Sequence, residues 1–170
     1  DTAVRESYDR ITTALGGSGF NVLGKHTVIN LSPADLKKEG TAYDLPMAVG
    51  LVAANGLMDT ERIKNYMLIG ELSLDGTLRP VKGALPIAIK AREAGFTGLV
   101  VPRGNGREAG VVNQLHVYEA DTLYNVVQFL QGKTDLPEIQ VDTRAEFAKG
   151  QQSTPYDFSE VKGQDNVKRA

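Results

Sequence analysis

Cysteine is absent from the 170 residues. That removes disulfides, thiolate zinc sites and cysteine nucleophiles together, and it is compatible with a reducing cytosol. No run approaches the roughly 18 consecutive apolar residues of a membrane span. The opening Asp1-Thr2-Ala3-Val4-Arg5-Glu6 has neither the basic nor the apolar region of a secretory signal and carries no initiator Met. A cytoplasmic protein with no membrane partner is the expectation. Runs of five or more like charges are missing too, and the net charge is only -2. The basic footprint of a free-standing nucleic-acid-binding domain is therefore not present.

What is present suits one core of ordinary size, since 41% of the residues are hydrophobic. Val4, Tyr8, Ile11 and Leu15 recur at helical spacing, and Gly16-Gly17-Ser18-Gly19 supplies a stop. The β-branched run His26-Thr27-Val28-Ile29-Asn30-Leu31 predicts a strand, and the polar stretch from Ser32 to Thr41 a loop. A second helix is expected from Asp44, read as its cap, to about Asn55-Gly56, apolar nearly all round and therefore buried. Met67 to Leu74 and Thr77 to Val81 flank Asp75-Gly76, a dipeptide suited to the positive φ angles of a tight hairpin. Beyond it the pattern predicts helix 84–94, strand 98–101, a short helix 107–113, strand 115–118 and helix 122–131. Such alternation implies parallel crossovers, and the antiparallel hairpin makes the sheet mixed. After Gly132 the periodicity stops, so 133–156 reads as a linker.

Asn30 to Pro46, with its Ser32-Pro33-Ala34-Asp35-Leu36-Lys37-Lys38-Glu39-Gly40-Thr41-Ala42-Tyr43-Asp44 centre, resembles the N-terminal domain of magnesium-chelatase-like AAA+ proteins of the ComM/YifB type. Gly70-Glu71-Leu72-Ser73-Leu74-Asp75-Gly76, the stretch from Pro80 to Gly95, and Val100-Val101-Pro102 continue the match in register. The resemblance covers 1–132. It implies an α/β (α+β) fold, the ribosomal protein S5 domain 2-like, Lon-protease-domain-like mixed sheet packed with helices. It also implies that further strands precede Asp1, so that the domain is truncated at its start. The segment 157–170 is similar to the entry of an AAA+ module, in which Val161, Gly163 and Gln164 would lie against the adenine of ATP in the full-length protein. By the same resemblance, ATP and Mg2+ serve the full-length protein and no cofactor belongs to this fragment. Its partners would be its own C-terminal AAA+ module, further copies in a homo-hexamer, and DNA engaged through the assembled ring.

Lon-like proteases use a Ser-Lys dyad in which a desolvated lysine takes the serine proton. The pattern places the serine near Ala42 to Asp44 and the lysine near Leu85 to Ile87, and neither residue type stands there. The expectation is a domain with no catalytic residue. Thr41, with Lys82 or Lys90, is the one substitute pair, against a plain loop threonine and solvated lysines. Two enzymatic alternatives stay open, a residual Lon-like peptidase and a magnesium chelatase ATPase subunit. Asp35, Glu39 and Asp44 are candidate oxygen ligands for a divalent cation, against capping and solvation. His26 and His116 have no partner at fixed spacing and read as strand or surface residues. Lys37, Lys38, Arg5 and Arg10 could form a DNA-facing rim, against separate solvated charges. Gly16-Gly17-Ser18-Gly19, Gly104-Asn105-Gly106 and Gly132-Lys133-Thr134 each lack the spacing or strand context of a phosphate loop and read as turns or caps.

Overall fold

The computed structural model describes residues 2–22, 27–30 and 40–142. Helix α1 (Thr2–Gly17) turns Ile11, Ala14 and Leu15 into the core, all fully buried. The Ile11 and Leu15 side chains contribute about 1.5 to 3 kcal/mol each when fully buried. Its end is a left-handed cap: Gly19 has φ 82° and the Phe20 amide donates to the Leu15 carbonyl at 2.9 Å. Helix α2 (Asp44–Ala54) buries Leu45, Ala48, Val49, Leu51 and Val52 but leaves Gly50 and Ala54 exposed. The expectation of an all-round buried helix is thus met on one side only. Asp44 is also not the cap; that position is Tyr43, which makes no side-chain capping bond.

The run Met67 to Leu74 is two strands. Strand β1 (Tyr66–Leu68) pairs in parallel with residues 98–100, and β2 (Glu71–Leu72) pairs antiparallel with β3 (Leu78–Arg79) in a separate two-stranded sheet. The division falls at Gly70, where an added Cβ would lie 3.2 Å from both Leu78 Cδ2 and Pro102 Cγ. Glycine is what lets the chain change sheets at so close an approach. The hairpin turn is longer than a two-residue type. Ser73 is bonded to Thr77 and Gly76, and among Leu74, Asp75 and Gly76 only the glycine has positive φ, at 85°.

Helix α3 (Ala84–Glu93) is closed by Gly95 at φ 84°. Strand β4 (Gly98–Pro102), buried at all five positions, leads through α4 (Gly106–Ala109) to β5 (His116–Ala120) and α5 (Leu123–Leu130). The Thr122 hydroxyl accepts the Asn125 amide at 3.1 Å and caps α5. Strand β6 (Glu138–Ile139), inside the stretch read as a linker, pairs antiparallel with β5. The main sheet has the order β1-β4-β5-β6, so it is mixed, and β6 rather than the hairpin makes it so.

Val100 faces a core built with α1, α2 and α5, whereas Leu99 and Val101 face a second core built with α3 and α4. Alternating side chains on a central strand thus hold helices on both faces. The unit so formed spans Asp1–Gln140. The strand expected over 26–31 is not found in its described part: Thr27 to Asn30 belong to no strand, and Val28 is 80% exposed. β-branched residues favour a strand only when a neighbour offers pairing.

Candidate functional site

The two positions expected for a nucleophile and its lysine come together. Ala42 and Tyr43 lead into α2, Pro86 and Ile87 lie in the first turns of α3, and all four line one apolar groove of about 1000 Å³. This concavity runs along β1, the edge strand of the four-stranded sheet among the described residues. What lines it is mainly carbon. Lys82 and Lys90 stand on its rim, and Lys90 is paired with Glu93 at 2.7 Å.

Thr41, the substitute nucleophile, donates its hydroxyl to the Glu71 carboxylate. No lysine hydrogen-bonds it among the described residues. Next to this pair lies the polar centre that sequence reading undervalued. Asp44 is fully buried, and both of its oxygens are occupied. Oδ1 accepts from Ser7 Oγ at 2.7 Å and Arg10 Nη2 at 3.1 Å; Oδ2 accepts from Arg10 Nε at 2.8 Å and the Leu72 amide at 3.2 Å. One carboxylate thereby ties α1, α2 and β2 together. Arg10 is held above its ordinary pKa, first by the Asp44 hydrogen bond, with burial opposing and the charges of Asp44, Glu71 and Glu6 assisting. The signal in the sequence was the Ser7/Arg10 spacing, which puts both side chains on one face of a helix.

This geometry revises two readings. Arg10 spends its guanidinium on Asp44 instead of standing as a separate solvated charge, and both Asp44 oxygens already accept hydrogen bonds. The remaining candidates Asp35, Glu39, Lys37, Lys38, His26, Val161, Gly163 and Gln164 lie outside the described residues, as does the Arg5 side chain. Among the described residues no group of three or more His, Asp and Glu could hold a metal. His116 Nδ1 meets Glu138 Oε1 at 2.7 Å and its ring stacks on Tyr118.

The glycine-rich turns are filled internally. Glu119 Oε1 accepts the amides of Gly104 and Gly106, each at 2.9 Å, taking the place an anion would need. Asn105, also buried, clamps Val81 through its amide and carbonyl at 2.9 and 2.8 Å. Gly132-Lys133 closes α5, with the Lys133 amide on the Gln128 carbonyl at 2.9 Å.

Fold and site together define a mixed-sheet α/β domain with an apolar groove between α2 and α3, lined by Ala42, Tyr43, Pro86 and Ile87. The family model described as Subunit ChlI of Mg-chelatase matches residues 1–105. Competence protein ComM of Haemophilus influenzae is 38% identical over 173 aligned residues, covering all of this chain and 33% of that protein. YifB of Escherichia coli K12 is 38% identical over 169, covering 99% and 32%, and YifB of Salmonella typhimurium is 42% identical over 133, covering 78% and 26%. The chain belongs to this Mg-chelatase-related ChlI family, and it spans about a third of the length of the curated relatives ComM and YifB of E. coli. Among the described residues, no helix is long and apolar enough to cross a membrane.

Proposed function

We propose that this domain is a non-catalytic, Lon-like accessory and oligomerisation element of a magnesium-chelatase-related AAA+ ATPase that acts on DNA in recombination or natural transformation. The observation that carries the non-catalytic half is the groove. No serine stands at 42–44 and no lysine at 85–87, the stretches expected to carry the dyad, and Thr41 donates its hydroxyl to the Glu71 carboxylate and not to a lysine. A general base must be within hydrogen-bond reach of the proton it removes, and a lysine in that place is what Lon-like chemistry needs. Kinship with a protein named for competence supports the DNA half. ATP and Mg2+ would be held by the AAA+ module, with Val161, Gly163 and Gln164 on the adenine side, and a cytoplasmic homo-hexamer would engage the DNA.

The test is the full-length protein with ATP and branched DNA, read by sedimentation and by strand displacement. ATP-dependent rings that move the branch point are the expected result. Absence of either removes the corresponding half of the proposal. Cleavage of an unstructured protein substrate that is abolished by Thr41→Ala would replace the non-catalytic reading with a peptidase.

A further inference from the structure

The sequence contains two Asn-Gly pairs, Asn55-Gly56 and Asn105-Gly106. In such a pair the glycine amide nitrogen can attack the asparagine side-chain carbonyl, because glycine has no side chain to hinder the approach and its backbone turns freely. The folded chain closes both pairs against that attack, but by different means. Asn105 is held by tertiary contacts. Its side chain is buried, its Oδ1 accepts the Val81 amide at 2.9 Å and its Nδ2 donates to the Val81 carbonyl at 2.8 Å. The Gly106 amide, the would-be nucleophile, donates to Glu119 Oε1 at 2.9 Å. Freeing this pair means parting residues 81, 105 and 119, which are distant in sequence, so a large part of the domain must open.

Asn55 is held by its own helix. It is the half-buried C-cap of α2, and the exposed Gly56 follows it at φ 72°. Asn55 Nδ2 donates to the Leu51 carbonyl at 2.8 Å, the Gly56 amide to Ala53 at 2.9 Å and the Leu57 amide to Val52 at 3.1 Å. The last two are the bonds of a left-handed helix end, and all three acceptors lie in the last turn of α2. Helix ends open at a small fraction of the free energy of global unfolding. From outside the helix the turn is restrained by Gln131, whose Nε2 donates to the Leu57 carbonyl at 3.0 Å. Asp75-Gly76 could form the same ring, but the Asp75 carboxyl is held below its ordinary pKa, first by the Thr77 hydroxyl, and an ionised carboxylate resists nucleophilic attack.

We propose that Asn55 is a spontaneous modification site, converted to aspartate and isoaspartate through a cyclic imide while Asn105 stays intact. The Gly56 nitrogen bonds to Asn55 Cγ and gives its proton to water; the Cγ–Nδ2 bond breaks and ammonia leaves. Water then opens the ring at either carbonyl, returning aspartate or an isoaspartate whose main chain carries an extra carbon. No oxidant or cofactor is consumed. The product does not restore the turn. A carboxylate replaces the donor to the Leu51 carbonyl and sets a negative charge at the helix C-terminus, where the dipole disfavours it. The lengthened isoaspartyl chain also loses the register of the Gly56 and Leu57 bonds. Deamidation therefore loosens the turn that Gln131 grips, and with it the junction between the ends of α2 and α5.

The full-length protein, incubated at mildly basic pH and digested for mass spectrometry of the peptides carrying Asn55 and Asn105, provides the test. In the folded protein the Asn55 peptide should show the amide-to-acid mass change at least about tenfold faster than the Asn105 peptide, and in concentrated urea the two rates should come within about threefold. Comparable folded rates, a faster Asn105, an Asn55 that stays intact, or a tenfold gap that persists in urea overturns the proposal. Gln131→Ala should raise the Asn55 rate by at least about threefold and leave the Asn105 rate unchanged. An unchanged Asn55 rate, or an equal rise at both sites, overturns the claim that local opening of this turn controls the reaction.

Discussion

Asp44→Ala is the most informative single substitution in the described residues. It leaves three donors without their acceptor: the Arg10 guanidinium, the Ser7 hydroxyl and the Leu72 amide. Removing one member of a buried ion pair costs about 3 to 5 kcal/mol. The Arg10 side chain keeps 26% of its exposure, so it recovers some hydration and the cost falls to the lower end. The Leu72 amide cannot recover in the same way, and an unsatisfied buried donor costs about 1 to 3 kcal/mol. The two costs overlap in one network, so a total of about 3 to 4 kcal/mol is expected rather than their sum. In urea, with a slope of about 2 kcal/mol per molar, the midpoint should fall by about 1.5 to 2 M. Arg10→Met should cost at least as much, because it leaves the fully buried Asp44 carboxylate with Ser7 and Leu72 but no counter-charge. The double mutant should show a coupling of at least about 1 kcal/mol. A midpoint shift below about 0.5 M for Asp44→Ala, or additive single mutants, would refute the claim that this carboxylate ties α1, α2 and the hairpin together.

Gly76→Ala should destabilise by about 2 kcal/mol or more, because a left-handed residue with a side chain is strained by about 1 to 2 kcal/mol. Its Cβ would also clash with Ser18 Oγ, and the thermal midpoint reads the loss. Glu119→Ala should cost about 2 kcal/mol by freeing the Gly104 and Gly106 amides, whereas Glu119→Gln, which keeps an acceptor, should cost less. Asp121 is held below its ordinary pKa, first by its hydrogen bond to Arg103, so this pair's contribution is full above the unfolded carboxylate pKa and is lost as pH falls through the lower folded value. With side chains 65% and 51% exposed the pair is screened by solvent, and Asp121→Asn should flatten the acid limb of the stability profile only slightly.

The helices were legible because their causes are local, although Asp44 is not the cap of α2 and the helix expected over 107–113 spans Gly106–Ala109. Ile11 and Leu15 repeat at 3.6 residues, Gly19 and Gly95 accept the left-handed caps, and Thr122 offers an oxygen to Asn125. The groove was legible in a different way: motif resemblance located Ala42 and Leu85 to Ile87, and the fold brought these stretches to one cavity. Strand partnership was not legible. Met67 to Leu74 is a single apolar run, yet Gly70 divides it between two sheets because Leu78 and Pro102 pack against its bare Cα, a fact set by residues distant in sequence. Glu138-Ile139 had no periodicity to announce it and became a strand because β5 offered an edge.

The sequence by itself determined the family and the periodic elements, along with the lack of a serine and a lysine at the dyad positions, since each depends only on residue type and spacing. Tertiary structure decided what Asp44 and Arg10 do. On a helix diagram they are a cap and a surface cation, but packing α1 on α2 carries them out of water together. Once there, the carboxylate is satisfied by Arg10, the Ser7 hydroxyl and the Leu72 amide of the hairpin together.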